Sequence, residues 1–184
     1  MIDIAKHEKA AAAFNSVLIG AALVLGVIAL FNVVNIWFGI ALAALMLALV
    51  SGFVYTIGGY KKASAVYYKI FMILFAVSIF FDLIGDLITT ISMRLGSYTS
   101  DVILLIILIG AVILAFGKDL GKKTSVYITY AMLAVQIINS VRLIVLHHLT
   151  FSSTVKPIMS VVVVCIACMF VAFKYADKTA RGTK

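Results

Sequence analysis

Charged residues are scarce in this chain. They make up 12% of its 184 residues, and only seven residues are acidic. Water-soluble domains typically contain about twice that proportion of charged residues. Hydrophobic residues make up 65% of the chain and the mean hydropathy is +1.21, which is more apolar surface than a water-soluble core of this size could bury. The composition therefore excludes an ordinary soluble domain and predicts an integral membrane protein.

Proline and cysteine are also nearly absent. The single proline and the lack of low-complexity tracts argue against linkers, so we expect one transmembrane domain over residues 1–184. Cys165 and Cys168 lie within an apolar run, and we interpret them as small packing residues instead of a redox pair. No P-loop, HExxH, nucleophile elbow or dinucleotide-binding glycine pattern occurs in the sequence. We therefore expect neither enzymatic activity nor a cofactor.

Long apolar runs are what the sequence has in abundance. Each of six runs is close to the ~20 residues needed to cross the hydrocarbon of a bilayer. They predict an all-α, polytopic integral membrane protein with six transmembrane helices, over about residues 11–34, 37–57, 66–93, 102–116, 125–147 and 157–173. Pro157 is expected at the first position of the sixth helix, where its missing N–H costs nothing.

The basic residues lie mostly on one side of these predicted helices. They give the chain a formal net charge of +8, and all of them except Arg94, Arg142 and Lys156 flank the same side. This positive-inside pattern predicts that both termini are cytoplasmic in a multi-pass protein of the cell membrane. The lysines are dispersed over termini and loops, so nucleic acid is not expected as a partner. The expected partners are the lipid bilayer, a small molecule or ion, and a membrane or cytoplasmic protein.

Two of the lysine-rich loops resemble each other. YKKASAVYY, from Tyr60, lines up with GKKTSVYITY, from Gly121, and both precede an odd-numbered helix. The similarity is consistent with three helical hairpin repeats. Alternating lysine loops also arise in any six-span protein with cytoplasmic termini, so both explanations remain open.

Polar residues interrupt three of the apolar runs near the side opposite the lysines. The pairs are Asn32 and Asn35, Asp82 and Asp86, and Asn139 and Arg142. Polar groups are costly inside a bilayer, so a repeated polar layer is a pointer to function. From the helical rise, Asp82 lies ~5 Å and Asp86 ~10 Å outward of the middle of the third span. Gln136 shares a stripe of the fifth helix with Asn139. We therefore predict a polar site in the outer half of the bundle, among the first, third and fifth helices.

Three interpretations of the two aspartates remain open. They form a cation or proton site in which Asp82 is the deeper ligand, or Asp86 pairs with Arg142 at matching depth and joins two helices. In the third interpretation, the helix is shifted so that both carboxylates reach water. Arg142 could instead bind an anionic group of a substrate or lipid. His147 and His148 are weak candidates for a metal site, although histidines at the membrane interface are the simpler interpretation.

These features favour a small membrane transport protein, which could be a transporter, a channel or a substrate-capturing subunit. The alternative is a non-catalytic structural or scaffold subunit, in which the polar layer is a helix-locking ion-pair network. In size and topology the chain loosely resembles the substrate-binding subunits of energy-coupling-factor vitamin transporters, which would imply a role in substrate capture. The candidate site residues are Asp82, Asp86, Arg142, Asn139, Gln136, Asn32 and Asn35.

Overall fold

The protein is all-helical over the residues that its computed structural model describes, which are 8–31, 33, 35–58, 65–93, 99–117, 120–146 and 151–181. The helices in these ranges are α1 (Glu8–Leu30), α2 (Ile36–Ile57), α3 (Ala65–Met93), α4 (Thr99–Phe116), α5 (Lys122–Leu146) and α6 (Phe151–Arg181). The expected all-α class is confirmed, and each predicted span corresponds to one helix.

The connection between α1 and α2 explains why α1 is shorter than its apolar run. The run continues to residue 34, but α1 ends at Leu30. Asn35 has an extended backbone, with φ −125° and ψ 134°, and its Oδ1 accepts a hydrogen bond of 2.9 Å from the backbone N–H of Trp37. Such an N-cap satisfies one of the free amide groups at the start of a helix. The chain must leave the α1 helix before Asn35 can take this role.

Helix α6 is longer than its apolar run at both ends. It begins at Phe151, before the predicted start at Pro157, and continues to Arg181. The prediction that Pro157 is the first helical residue is therefore wrong, because it lies in the second turn. Hydropathy marks only the apolar part of the helix, Ile158–Lys174, and does not detect the polar turns that extend it. Membrane helices also tolerate a proline when surrounding groups satisfy the carbonyl that it leaves free.

Five helices in the described ranges are long and apolar enough to cross a membrane. These stretches are Ala10–Leu30, Ile36–Ile57, Val66–Thr89, Thr99–Phe116 and Lys123–Val145, whereas the apolar part of α6 is shorter. Large apolar side chains cover much of the outer surface, for example Phe31, Leu47, Ile109 and Ile138, of which Phe31 is 87% exposed. An exposed surface of this kind is compatible with a multi-pass membrane protein.

The six helices form a closed ring. Each helix packs against the next, α6 packs back against α1, and α3 also contacts α6 across the ring. The ring pairs Trp37–Phe81 and Tyr55–Tyr68 show that α2 and α3 are antiparallel. The contacts Asn15–Thr56 and Gly26–Met46 show the same for α1 and α2, and Ser100–Arg142 and Gly110–Met132 show it for α4 and α5, so neighbouring helices alternate in direction. We call the end at which α2, α4 and α6 begin the polar end, and the other the opposite end.

The half of the ring near the opposite end is densely packed with aromatic side chains. Phe170 of α6 is fully buried and makes edge-to-face contacts with Tyr55 and Phe71, at centroid distances of 5.1 Å and 4.8 Å. Gly52 makes this approach possible, because a Cβ added there would lie 2.9 Å from Phe170 Cε2. Edge-to-face pairs of this kind add to the stability gained from burial. This packing leaves the internal space in the other half.

Candidate functional site

A cavity of about 40 Å³ lies in the half of the ring near the polar end. Helices α2 to α6 all contribute to it. The lining residues are Phe38, Ala41, Leu42, Leu45, Phe75, Ser78, Ile79, Asp82, Leu104, Ile107, Gln136, Met159, Ser160, Val163 and Val164. The walls are thus mostly apolar, with four polar side chains among the described residues. The site was expected among the first, third and fifth helices, but α1 supplies no residue to this lining.

Helix α3 brings Asp82 to the cavity. Phe75, Ser78, Ile79 and Asp82 all line it, and their spacing of three, four and seven residues is that of one helical stripe. Ser78 is buried, and Asp82 is half-buried. The stripe runs toward the polar end, so the carboxyl group is the last of the four. The sequence thus places one acidic side chain in the lining of a cavity that is otherwise neutral.

Two further helices add neutral polar groups. Gln136 of α5 is buried, and its Nε2 donates a hydrogen bond of 3.4 Å to the hydroxyl of Ser140 on the same helix. Ser160 of α6 lines the cavity as well. Together with Ser78 and Asp82, these side chains line the cavity with hydroxyl, amide and carboxyl oxygens. Oxygen ligands of this type suit hard cations such as alkali and alkaline-earth ions.

The size of the cavity limits what can occupy it. A volume of about 40 Å³ holds roughly one to three water molecules, because a single water occupies at least 10–15 Å³ by this measure. Pockets for drug-sized ligands are about 300–1,000 Å³. An ion with a water molecule fits in this conformation, but a vitamin does not. The cavity therefore offers no support for the loose resemblance to vitamin-capturing subunits.

Arg142 belongs to a second polar cluster, which joins α5 to α4. Its Nη2 donates hydrogen bonds of 2.5 Å to Ser100 Oγ and 3.3 Å to Asn139 Oδ1. The described hydrogen bonds of Arg142 thus go to Ser100 and Asn139, and the pairing with Asp86 stays a prediction. The helical rise predicts that Asp86 and Arg142 lie at a similar depth along their helices. It does not predict which helices are neighbours. In the ring, α4 lies between α3 and α5.

Asp101 is a buried acid that the apolar runs do not reveal. They place the start of the fourth span at residue 102, whereas Asp101 lies in the first turn of α4 and is only 6% exposed. Neither carboxyl oxygen of Asp101 has a hydrogen-bond partner among the described residues, and the same is true of Arg142 Nε. The sequence Thr99-Ser100-Asp101 resembles a helix start, which is the signal that could have identified it.

The other described candidate residues, Asn35, Asn139 and Asp86, do not line the cavity. Asn35 caps α2, and Asn139 is buried as the acceptor for Arg142. Asp86 is half-buried one turn beyond Asp82 and does not line the cavity. Asn32, His147 and His148 lie outside the described residues. The predicted layer therefore divides into a cavity group and an Arg142 group.

The cysteines and acids do not assemble a metal centre in the described part of the chain. No group of three or more histidine, cysteine, aspartate or glutamate side chains is placed there to hold a metal ion. Cys168 Sγ instead donates a hydrogen bond of 3.4 Å to the backbone carbonyl of Thr129. This contact joins α6 to α5 and agrees with a packing role for Cys168.

A scan against protein-family models and searches of curated proteins and solved structures found no match to this chain. The functional argument therefore rests on the arrangement of its own residues.

Proposed function

We propose that the chain is a small multi-pass membrane transport protein that carries a monovalent inorganic cation, with Asp82 as the cation-facing residue. The observation that carries this proposal is the cavity in which Asp82 meets Ser78, Gln136 and Ser160. Ionisable groups within a membrane domain commonly mark ion pathways. A single carboxylate balances one positive charge, and the neutral oxygens replace part of the hydration shell of the ion.

Membrane insertion of all six helices belongs to the proposal. The apolar part of α6, Ile158–Lys174, is at the short end of the ~17–25 residues that span a bilayer. Its buried side chains, such as Val163, Ile166 and Phe170, pack inside the same ring as the five longer helices. A ring of this kind crosses the bilayer as one unit. The lysine distribution supports an orientation in the cell membrane with both termini in the cytoplasm and the polar end outside.

The Arg142 cluster keeps a positive charge from occupying the cavity. The guanidinium group of Arg142 donates hydrogen bonds to Ser100 and Asn139, and it is not among the groups that line the cavity. An arginine bound directly to Asp82 would replace the cation. Because Arg142 binds Ser100 and Asn139, its guanidinium group does not supply a fixed positive charge to the lining of the cavity.

Reconstitution into liposomes tests this function. The protein is purified, and uptake of rubidium and of sodium is measured with wild type, Asp82→Asn and the control Ser16→Ala. Ser16 donates to the carbonyl of Ala12 in its own helix, and it does not line the cavity. We expect Asp82→Asn to lower uptake roughly tenfold or more, equivalent to the loss of about 1.4 kcal/mol of ion stabilisation. Wild-type uptake by Asp82→Asn would contradict the proposal.

A structural role for part of the polar layer is the second candidate. The bond between Arg142 and Ser100 joins two neighbouring helices, which is what a scaffold subunit would need from it. In that case, liposomes that contain the folded wild-type protein take up neither rubidium nor sodium above the level of protein-free liposomes.

A further inference from the structure

A buried acid, Asp101, and a half-buried base, Arg142, lie on neighbouring helices near the polar end without a hydrogen bond between the described atoms that remain unpartnered. Arg142 of α5 donates to Ser100, the residue that precedes Asp101 in α4. The Nε of Arg142 and both carboxyl oxygens of Asp101 are inaccessible and have no hydrogen-bond partner in the described ranges. Each residue therefore has hydrogen-bonding capacity that this conformation does not use.

The protonation state of the acid follows from this geometry. An arginine side chain stays protonated in proteins, and its charge is here partly satisfied by Ser100 and Asn139. A carboxylate buried without a partner is far more costly than a neutral carboxyl group in the same place. Both carboxyl oxygens of Asp101 are inaccessible to solvent. Protonation of one of them requires no additional space, whereas a bound water molecule or ion would. The neutral acid is therefore the form that fits this conformation.

The charged groups on the helices packed against α4 favour the same form. Helix α3 carries Asp82 and Asp86 in its half near the polar end, and α5 carries Arg142. Two acidic groups on α3 do not compensate a third carboxylate. Arg142 is the one cation that the described parts of these two helices offer in this half, and its hydrogen bonds go to other residues.

We propose that Asp101 is a proton-binding site, that it holds its proton in this conformation, and that Arg142 becomes its ion-pair partner when the proton leaves. The O–H bond of the carboxyl group breaks, its electron pair stays on the carboxylate, and the proton passes to water at the polar end. Arg142 then exchanges Ser100 for Asp101. These residues are adjacent in the chain, so a rotation of α4 or a reorientation of the guanidinium group accomplishes the exchange.

This site is connected to the cavity through α4. Asp101, Leu104 and Ile107 lie on one face of the helix at intervals of three residues, and the latter two line the cavity. A movement of α4 that pairs Asp101 with Arg142 therefore changes the walls around Asp82. If the proposed function holds, Asp101 is the point at which a proton gradient acts on cation transport; this coupling alone rests on that function.

Infrared spectroscopy tests the proton site without any need for transport. Spectra of the protein in lipid at near-neutral pH are compared for wild type, Asp101→Asn and the control Asp177→Asn, which removes an acid beyond the apolar part of α6. The wild type should show a C=O stretch of a protonated carboxylic acid that Asp101→Asn loses, while Asp177→Asn keeps it. If Asp101→Asn loses carboxylate absorption and keeps the band of the protonated acid, the proposal is overturned.

Two further variants complete the test. If Asp101→Asn does not fold, Asp101→Glu replaces it and should move the position of the acid band; an unmoved band would overturn the proposal. In Arg142→Gln, ionised Asp101 has lost its ion-pair partner, so Asp101 should hold its proton to a higher pH. The band of the protonated acid should therefore persist at an alkaline pH at which the wild type no longer shows it. Identical titrations of wild type and Arg142→Gln would overturn the role of Arg142. A liposome result without cation uptake would leave these spectra unchanged and would reject only the transport function.

Discussion

Arg142 donates a hydrogen bond of 2.5 Å to the hydroxyl of Ser100 and thereby joins α5 to α4 at the polar end of the helix ring. Bonds between helices in membrane proteins contribute about 0.6 kcal/mol on average, and bonds to charged groups contribute more. We expect Ser100→Ala to lower the free energy of unfolding by ~1 kcal/mol. Denaturation of the purified protein in mixed micelles measures this change.

A double-mutant cycle separates this bond from other effects of the serine. Ser100→Ala should have little effect in an Arg142→Gln background, because the donor is already missing. The matched control is Ser16→Ala, whose hydroxyl bonds within its own helix. Equal losses of stability from Ser100→Ala in both backgrounds would show that the bond does not join the helices.

The contact between Gly52 and Phe170 predicts a position that does not tolerate a methyl group. A Cβ at residue 52 would lie 2.9 Å from Phe170 Cε2 and 3.1 Å from Phe71 Cδ2. Overpacking of this kind costs about 1–3 kcal/mol. We therefore expect Gly52→Ala to lower the melting temperature of the protein in detergent.

The control for this substitution is Gly20→Ala in α1, where an added Cβ meets no heavy atom within 4 Å. It should be neutral or stabilise the helix by up to about 1 kcal/mol, because alanine has the higher helix propensity. Phe170→Leu should partly rescue Gly52→Ala by removing the ring atoms that it meets. Equal melting temperatures for both glycine variants would contradict the close approach of Phe170 to Gly52.

A third prediction concerns a polar link between α1 and α2. Asn15 is fully buried, and its Nδ2 donates a hydrogen bond of 3.2 Å to the hydroxyl of Thr56. Thr56→Val removes this acceptor and should destabilise the protein by ~1 kcal/mol. Thr129→Val is the control, because its hydroxyl donates to carbonyl groups of its own helix. If Thr129→Val destabilises the protein as much as Thr56→Val, the link does not contribute specifically.

The sequence predicted the helices well because their signal is local. The length of each apolar run and the helical rise per residue are sufficient to locate α2 through α5. The polar residues within the runs lie near one end of the helices. The ends of α1 and α6 were less predictable. Helix α1 ends before its apolar run does, because the chain leaves the helix so that Asn35 can cap α2. The polar turns of α6 before Ile158 and after Lys174 remain helical without being apolar.

The site was less predictable because it depends on which helices are neighbours. The spacing of four residues between Ser78 and Asp82 is typical of one helical face, and both residues line the cavity. Matching depth predicted Asp86 as a partner of Arg142, but it could not predict that α4 lies between α3 and α5 in the ring and that Arg142 donates to Ser100. The apolar pattern does not identify Asp101 as a buried residue, because a charged residue at the end of an apolar run resembles a loop residue. Its burial follows from the packing of the first turn of α4, which composition does not report.

The most direct test of the cation site is anomalous diffraction from crystals soaked in thallium, a heavy monovalent cation. The proposal predicts an anomalous peak inside the cavity lined by Asp82, Ser78, Gln136 and Ser160, and the loss of that peak in Asp82→Asn. A cavity without a peak in the wild type, or a peak that is unchanged in Asp82→Asn, would contradict the assignment of Asp82 as the cation-facing residue.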